Sequence, residues 1–109
     1  MDQIANTPEP PYYAVLFTTV RAENEEGYAE VAARVLEAAF NQPGFLGIES
    51  TRKDGGLGIT ISYWSDVDAI QKWRKQLDHQ EAQRLGKERW YRDYRIRVCK
   101  VERDYRLEK

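Results

Sequence analysis

The spacing of apolar residues changes period along the chain, and each change marks an element. In YYAVLFTTVRA, from Tyr12, both alternating sets are largely apolar, Tyr13/Val15/Phe17 on one side and Tyr12/Ala14/Leu16/Val20 on the other, which predicts a strand covered on both faces. From Asn24 the spacing becomes helical. Tyr28, Val31, Ala32, Val35, Leu36 and Ala39 share one stripe, Asn24 stands as the cap with acids in the first turn, and Pro43-Gly44 ends the run. FLGIESTRK and LGITISYW then flank Asp54-Gly55-Gly56, a hairpin with glycine available for positive φ. In its second strand Leu57, Ile59, Ile61 and Tyr63 form an apolar set, read as the core face, whereas Gly58, Thr60 and Ser62 are small and leave space.

Ser65 or Asp66 caps a further helix in which Val67, Ile70, Trp73 and Leu77 share a face. A second helical run, HQEAQRLGKERWYRDY, places His79, Ala82, Gln83, Gly86 and Trp90 at helical spacing, with a break near Asp78. YRIRVCKVERDYRL closes the chain as a long strand, alternating Tyr94, Ile96 and Val98 against Arg95, Arg97, Cys99 and Val101. The order βαββαβ with right-handed crossovers predicts an α+β, ferredoxin-like fold: a four-stranded antiparallel sheet with helices on one face. A first strand apolar on both sides, in so short a chain, predicts that a second copy covers the other face, as a symmetric homodimer packed sheet to sheet.

Composition narrows the function. At 109 residues the chain is one domain, and the three prolines of TPEPP set residues 1–11 apart as a flexible arm before a domain over 12–109. The net charge of -1 draws it to neither nucleic acid nor membrane, although the charges are segregated: two basic against eight acidic residues up to Glu49, nine against four from Arg84 to Arg106. The chain has neither a membrane-length apolar run nor the blocks of a signal peptide, and a cytoplasmic location is expected. A lone Cys99 forbids an internal disulfide, no Cys/His cluster offers a zinc site, and its alternation with apolar residues predicts a buried, inert thiol. GFLG and DGGLG are turn glycines without the helix that a phosphate loop requires. The βαββαβ order is shared with RNA-recognition domains, but GITIS stands where their stacking aromatics belong, which argues against RNA.

The candidate chemistry centres on YWSDVDAIQKWRKQLDH. Trp73 lies on the apolar stripe and serves as core or as the wall of a pocket for a flat ligand. Trp64 alternates with Gly58, Thr60 and Ser62, placing it either at the subunit interface or at the pocket mouth. Trp90 and Tyr91 are expected to lock a helix end against the last strand, with a stacking role as the second reading. His79 is the one side chain whose ordinary pKa lies near neutrality, hence the natural proton acceptor, while its position beside Asp78 also suits a capping role.

The stretches QPGFLGIES, TRKDGGLGITISYWSDVDAIQKWRKQLDHQEAQRLGKERWY and YRIRVCKVERDY, in that order, resemble the antibiotic biosynthesis monooxygenase (ABM) family over Tyr13 to Tyr105. The resemblance implies a dimeric α/β barrel with a pocket in each protomer between helices and sheet, and oxygenation of a small phenolic or quinol-like aromatic by dioxygen without metal or flavin. On that implication, His79 and Trp73 form the catalytic centre, His79 as the base. Trp73, Trp64 and Phe17 clamp the rings, and a donor, Arg74 or Tyr94, stabilises the developing oxyanion. One branch of the family degrades haem; its first-strand asparagine is missing from YYAVLFTTVRA, and its histidine lies further beyond the helix tryptophan than His79 lies beyond Trp73. The alternative from another class is a dimer that binds a small aromatic molecule without turning it over.

Overall fold

The computed structural model describes residues 3–23, 26–54, 56–78 and 90–107. Its elements run β1 (Tyr12–Arg21), α1 (Tyr28–Phe40), β2 (Phe45–Arg52), β3 (Leu57–Trp64), α2 (Val67–Asp78) and β4 (Tyr91–Val101). The strands form one sheet in the order β2-β3-β1-β4, every pair antiparallel, the ferredoxin-like topology that the element order predicts.

Local chemistry sets the boundaries. Asp66, rather than Ser65, caps α2: its Oδ1 accepts the Ala69 N–H at 2.7 Å, and this bond, ahead of one from Ser65, holds the Asp66 carboxyl below the ordinary carboxylate range. Gly44 turns the chain at φ 87°, and a Cβ there would lie 2.7 Å from Ala69 Cβ and Ser65 Oγ, so glycine is needed both for the turn and for the approach of α2. The helix α1 begins later than its sequence signals suggest, at Tyr28 behind Gly27 in left-handed conformation; the proposed cap Asn24 lies outside the described residues.

The last strand also differs from expectation, starting at Tyr91 instead of Tyr94 and stopping at Val101. Pairing with β1 decides both ends. Thr19 faces Tyr94, and past an irregularity at Val20/Arg21 the ladder continues to Arg21 facing Tyr91, so YRDY is strand and not helix. At the other end Val101 faces Tyr12, and beyond Tyr12 stand Pro11 and Pro10, which have no N–H to offer a ladder. The remainder of the second helical run, from His79 to Arg89, lies outside the described residues.

The register sorts side chains between faces. Val15, Phe17, Ser50, Thr60, Ser62, Tyr94 and Ile96 point to the helix side, whereas Leu16, Ile61 and Arg97 lie across from one another on the outer side. The apolar set Leu57, Ile59, Ile61 and Tyr63 is therefore on the face away from the helices, the reverse of a core beneath them, and the small set Gly58, Thr60 and Ser62 is the one the helices cover. Leu57 is half exposed, and Cys99, on this outer face, is exposed in the single chain rather than buried, because no element of the described chain covers it. Part of the outer face is occupied by the N-terminal segment: the Ala5 N–H donates to Glu49 Oε2 at 2.9 Å, Tyr63 donates to Glu49 Oε1 at 2.6 Å, and Tyr12 donates to Asp104 Oδ2.

Beneath the helices the densest packing is at one end. Trp64 is fully buried with Ala69 and Ile70, and Tyr13, Val15, Phe45 and Trp73 close around it. An indole so enclosed contributes on the order of 5 kcal/mol of transfer free energy, and Ala69, Ile70 and Trp73 of α2 pack against it.

Candidate functional site

The small residues of β2 and β3 leave a hollow of about 380 Å3 between the helices and the sheet. Its floor is Ser50, Thr60 and Ser62, where Ser50 and Thr60 hydrogen-bond each other at 2.8 Å. Its roof is the apolar stripe of α1, Val31, Ala32, Val35 and Leu36, so the legible helix period here builds a cavity wall and not a solid core.

Aromatic rings line both ends, with different chemistry. At one end Phe40, Phe45, Trp64 and Trp73 form a chain of contacts: Phe45 meets Trp64 edge-on at 5.3 Å, and Trp73 stacks on Trp64 at 6.1 Å and 30°. The indole N–H of Trp64 is spent on Ser62 Oγ at 2.9 Å. At the other end Phe17 lies edge-on to Tyr91 and Tyr94 at 5.5 and 5.7 Å, and Tyr28 meets Trp90 at 5.4 Å. Burial first, then a hydrogen bond with Tyr28, pushes the Tyr91 hydroxyl well above the ordinary phenol range, while the charges of Arg52 and Arg21 act in the opposite direction. The guanidinium carbon of Arg21 sits 3.6 Å over the Tyr28 ring.

Five of the residues singled out from the sequence meet at this hollow. Phe17 and Tyr94 belong to the hydroxyl-bearing end, Trp64 and Trp73 to the indole end, and Arg74 lines the cavity from α2 while remaining exposed. Trp64 thus faces the cavity and not the outer sheet face. His79 lies outside the described residues. Among the described residues no group of three or more His, Cys, Asp or Glu side chains could hold a metal ion, and no helix is long and apolar enough to cross a membrane.

Sequence reasoning missed the other half of the tyrosine end. Tyr28 was visible only as the first member of an apolar stripe, and Tyr91 as part of a helix end. Strand spacing could not have found them, because Tyr91 and Tyr94 are three positions apart and regular alternation sends them to opposite faces; the irregularity of the β1–β4 ladder at Val20/Arg21 brings both rings to Phe17. Trp90 is buried, its indole N–H donating to the Glu26 carbonyl at 3.0 Å, and its own carbonyl accepts from Ala22 at 2.8 Å, tying the start of α1 to the β1–β4 end.

The chain is similar to known proteins in sequence and in fold. The chain is 52% identical over 103 residues to an uncharacterised protein, YqjZ, of Bacillus subtilis, covering 94% of this chain and 90% of that one. It is 27% identical over 93 residues to the jasmonate monooxygenase ABM of Pyricularia oryzae, covering 82% of this chain but only 43% of the length of that relative. The crystal structure of SnoaB, a cofactor-independent oxygenase from Streptomyces nogalater, superimposes with a TM-score of 0.72 over 85% of this chain and 95% of that one at 16% identity, a likeness of fold. The profile of the antibiotic biosynthesis monooxygenase family matches residues 11–85, from the approach to β1 through α2 and beyond, and the chain belongs to that family.

Proposed function

We propose that this protein is a cofactor-independent monooxygenase acting on a small phenolic or quinol-like aromatic, and that it works as a homodimer. The observation that carries the reading is the cavity of about 380 Å3, within the range of small-molecule sites, mostly apolar in its lining and bordered by rings at both ends. Membership of the family supports oxygenase chemistry, and the partly apolar outer face of the sheet supports pairing with a second copy.

The chemistry resides in the substrate. A base takes a proton from an activated CH2 or hydroxyl group, and the resulting anion reduces dioxygen. For an anthrone, the ring CH2 loses both hydrogens, one oxygen atom becomes the new carbonyl and the other leaves as water. The protein supplies a base, His79 on this reading, a dry slot between Trp73, Trp64 and Phe17, and a donor to the developing oxyanion, Arg74 or Tyr94.

The test is oxygen uptake by chelator-treated protein with anthrone. One dioxygen consumed per anthraquinone formed is expected, with a rate at least about 100-fold lower in His79→Ala. Anthrone that binds saturably without oxygen uptake assigns the protein to ligand binding without turnover.

A further inference from the structure

The two ends of the cavity are chemically unequal, and the difference orients whatever enters. At the indole end the ring contacts are Phe45, Trp64 and Trp73, and the Trp64 N–H is already donated to Ser62. On the floor, Ser50 and Thr60 satisfy each other. At the far end Tyr28 is held from three directions: Arg21 lies over its ring at 3.6 Å, Trp90 meets it at 5.4 Å with interplanar angle 85°, and Tyr91 meets it at 6.2 Å with 86° between planes. Burial first, and then its pairing with the Tyr28 hydroxyl, keeps the Tyr91 phenol protonated, with the Arg52 and Arg21 charges acting more weakly the other way. Trp90, anchored to Glu26 and Ala22, fixes the backbone from which Tyr28 starts α1.

We propose that Tyr28 sets the orientation of the ligand: its hydroxyl, positioned by Tyr91, receives the oxygen-bearing edge of a flat aromatic, and the stacked Trp64 and Trp73 take the hydrocarbon edge. This rests on the reading of the cavity as an aromatic-substrate site and deepens it, because the carbon presented for oxygenation is then the one a fixed distance from the tyrosine end. Tyr28 touches the ligand; Tyr91 acts through Tyr28 as a positioning residue. A hydroxyl held by its neighbours before the ligand arrives loses little freedom on binding, so the bond discriminates well between ligands with and without an oxygen.

Equilibrium dialysis against 1-naphthol and naphthalene, the same rings with and without a hydroxyl, reads this directly. The native protein is expected to prefer 1-naphthol by about tenfold. In Tyr28→Phe, 1-naphthol affinity falls about fivefold to tenfold while naphthalene affinity stays within about twofold, and Tyr91→Phe erodes the preference by about twofold to threefold with naphthalene again unchanged. Naphthalene binding serves as the check that each variant is folded. An unchanged preference in Tyr28→Phe, whether both affinities hold or both fall together, overturns the proposal, as does absence of saturable binding of either probe to the native protein. Oxygen uptake with anthrone is read separately: a shifted preference without oxygen uptake leaves the orientation standing and removes the oxygenase, and uptake with an unshifted preference does the reverse.

Discussion

The indole of Trp73 on α2 stacks on that of Trp64 at the end of β3, centroids 6.1 Å apart and planes 30° from parallel, so the ring that closes the core also ends the cavity. The two are unequal in burial, Trp64 at 0% exposed and Trp73 only partly covered. Trp64→Ala is therefore expected to cost about 3–5 kcal/mol in urea unfolding and Trp73→Ala distinctly less, because part of the Trp73 surface already borders empty space. A larger loss from Trp73 would show that the hollow is packed solid in solution.

Filling the hollow separates binding from folding. Thr60→Phe projects a ring from the middle of the floor, and the hydrogen bond it loses, to Ser50, is exposed. Binding of 1-naphthol should fall more than about tenfold while the urea midpoint changes little, since the new ring occupies space that no side chain held. Retained binding in a folded variant would place the ligand elsewhere.

Alkaline titration reports the buried phenols. Of the seven tyrosines, Tyr12 is raised above 10.0 chiefly by its hydrogen bond to Asp104, Tyr63 chiefly by burial and then Glu49, and Tyr91 chiefly by burial and then Tyr28. A phenol whose folded pKa exceeds its unfolded one adds stability that is whole below about pH 10 and is lost as pH rises through the folded value. Absorbance at 295 nm should show Tyr63 and Tyr91 still protonated in the folded protein near pH 10.5, and unfolding with pH should accompany their ionisation. Full tyrosinate absorbance at that pH in a folded sample would contradict the burial.

The proposed pairing through the outer face makes Ile61 its most sensitive position, because it lies on that face opposite Leu16 at the sheet centre. Sedimentation is expected to give twice 12.8 kDa for the native chain and the single mass for Ile61→Glu, since the new carboxylate would be desolvated at the sheet centre directly across from the like charge of Glu49. A native protein that sediments at the single mass at micromolar concentration would remove the homodimer.

Much of the architecture was written in periodicity. The strand Leu57–Trp64 has the bounds expected for it, and the stripe from Tyr28 to Ala39 faces the sheet as read, because both patterns are set by repeat lengths of about 2 and 3.6 residues that belong to the backbone. Phe17, Trp64, Trp73, Arg74 and Tyr94 converge on one hollow for the same reason: alternation and helical spacing say which side of an element a residue takes. Less legible was which side is which. Ile59 and Ile61 look more like core than Thr60 and Ser62 do, yet the helices cover the small residues, and a short sequence window holds no record of where its neighbours in space have been placed.

Alone, the sequence determined the order βαββαβ and which residues of β1, α1 and β3 share a face, properties that depend on neighbours a few residues away. Only the tertiary structure decided that Tyr91 belongs to a strand, that Tyr28 lies against it under Arg21, and that the space between them and Trp64 stays open. These depend on pairings such as Arg21 with Tyr91, seventy positions apart in the chain, whose register is set by the length of β1 and by hydrogen bonds that no local pattern encodes.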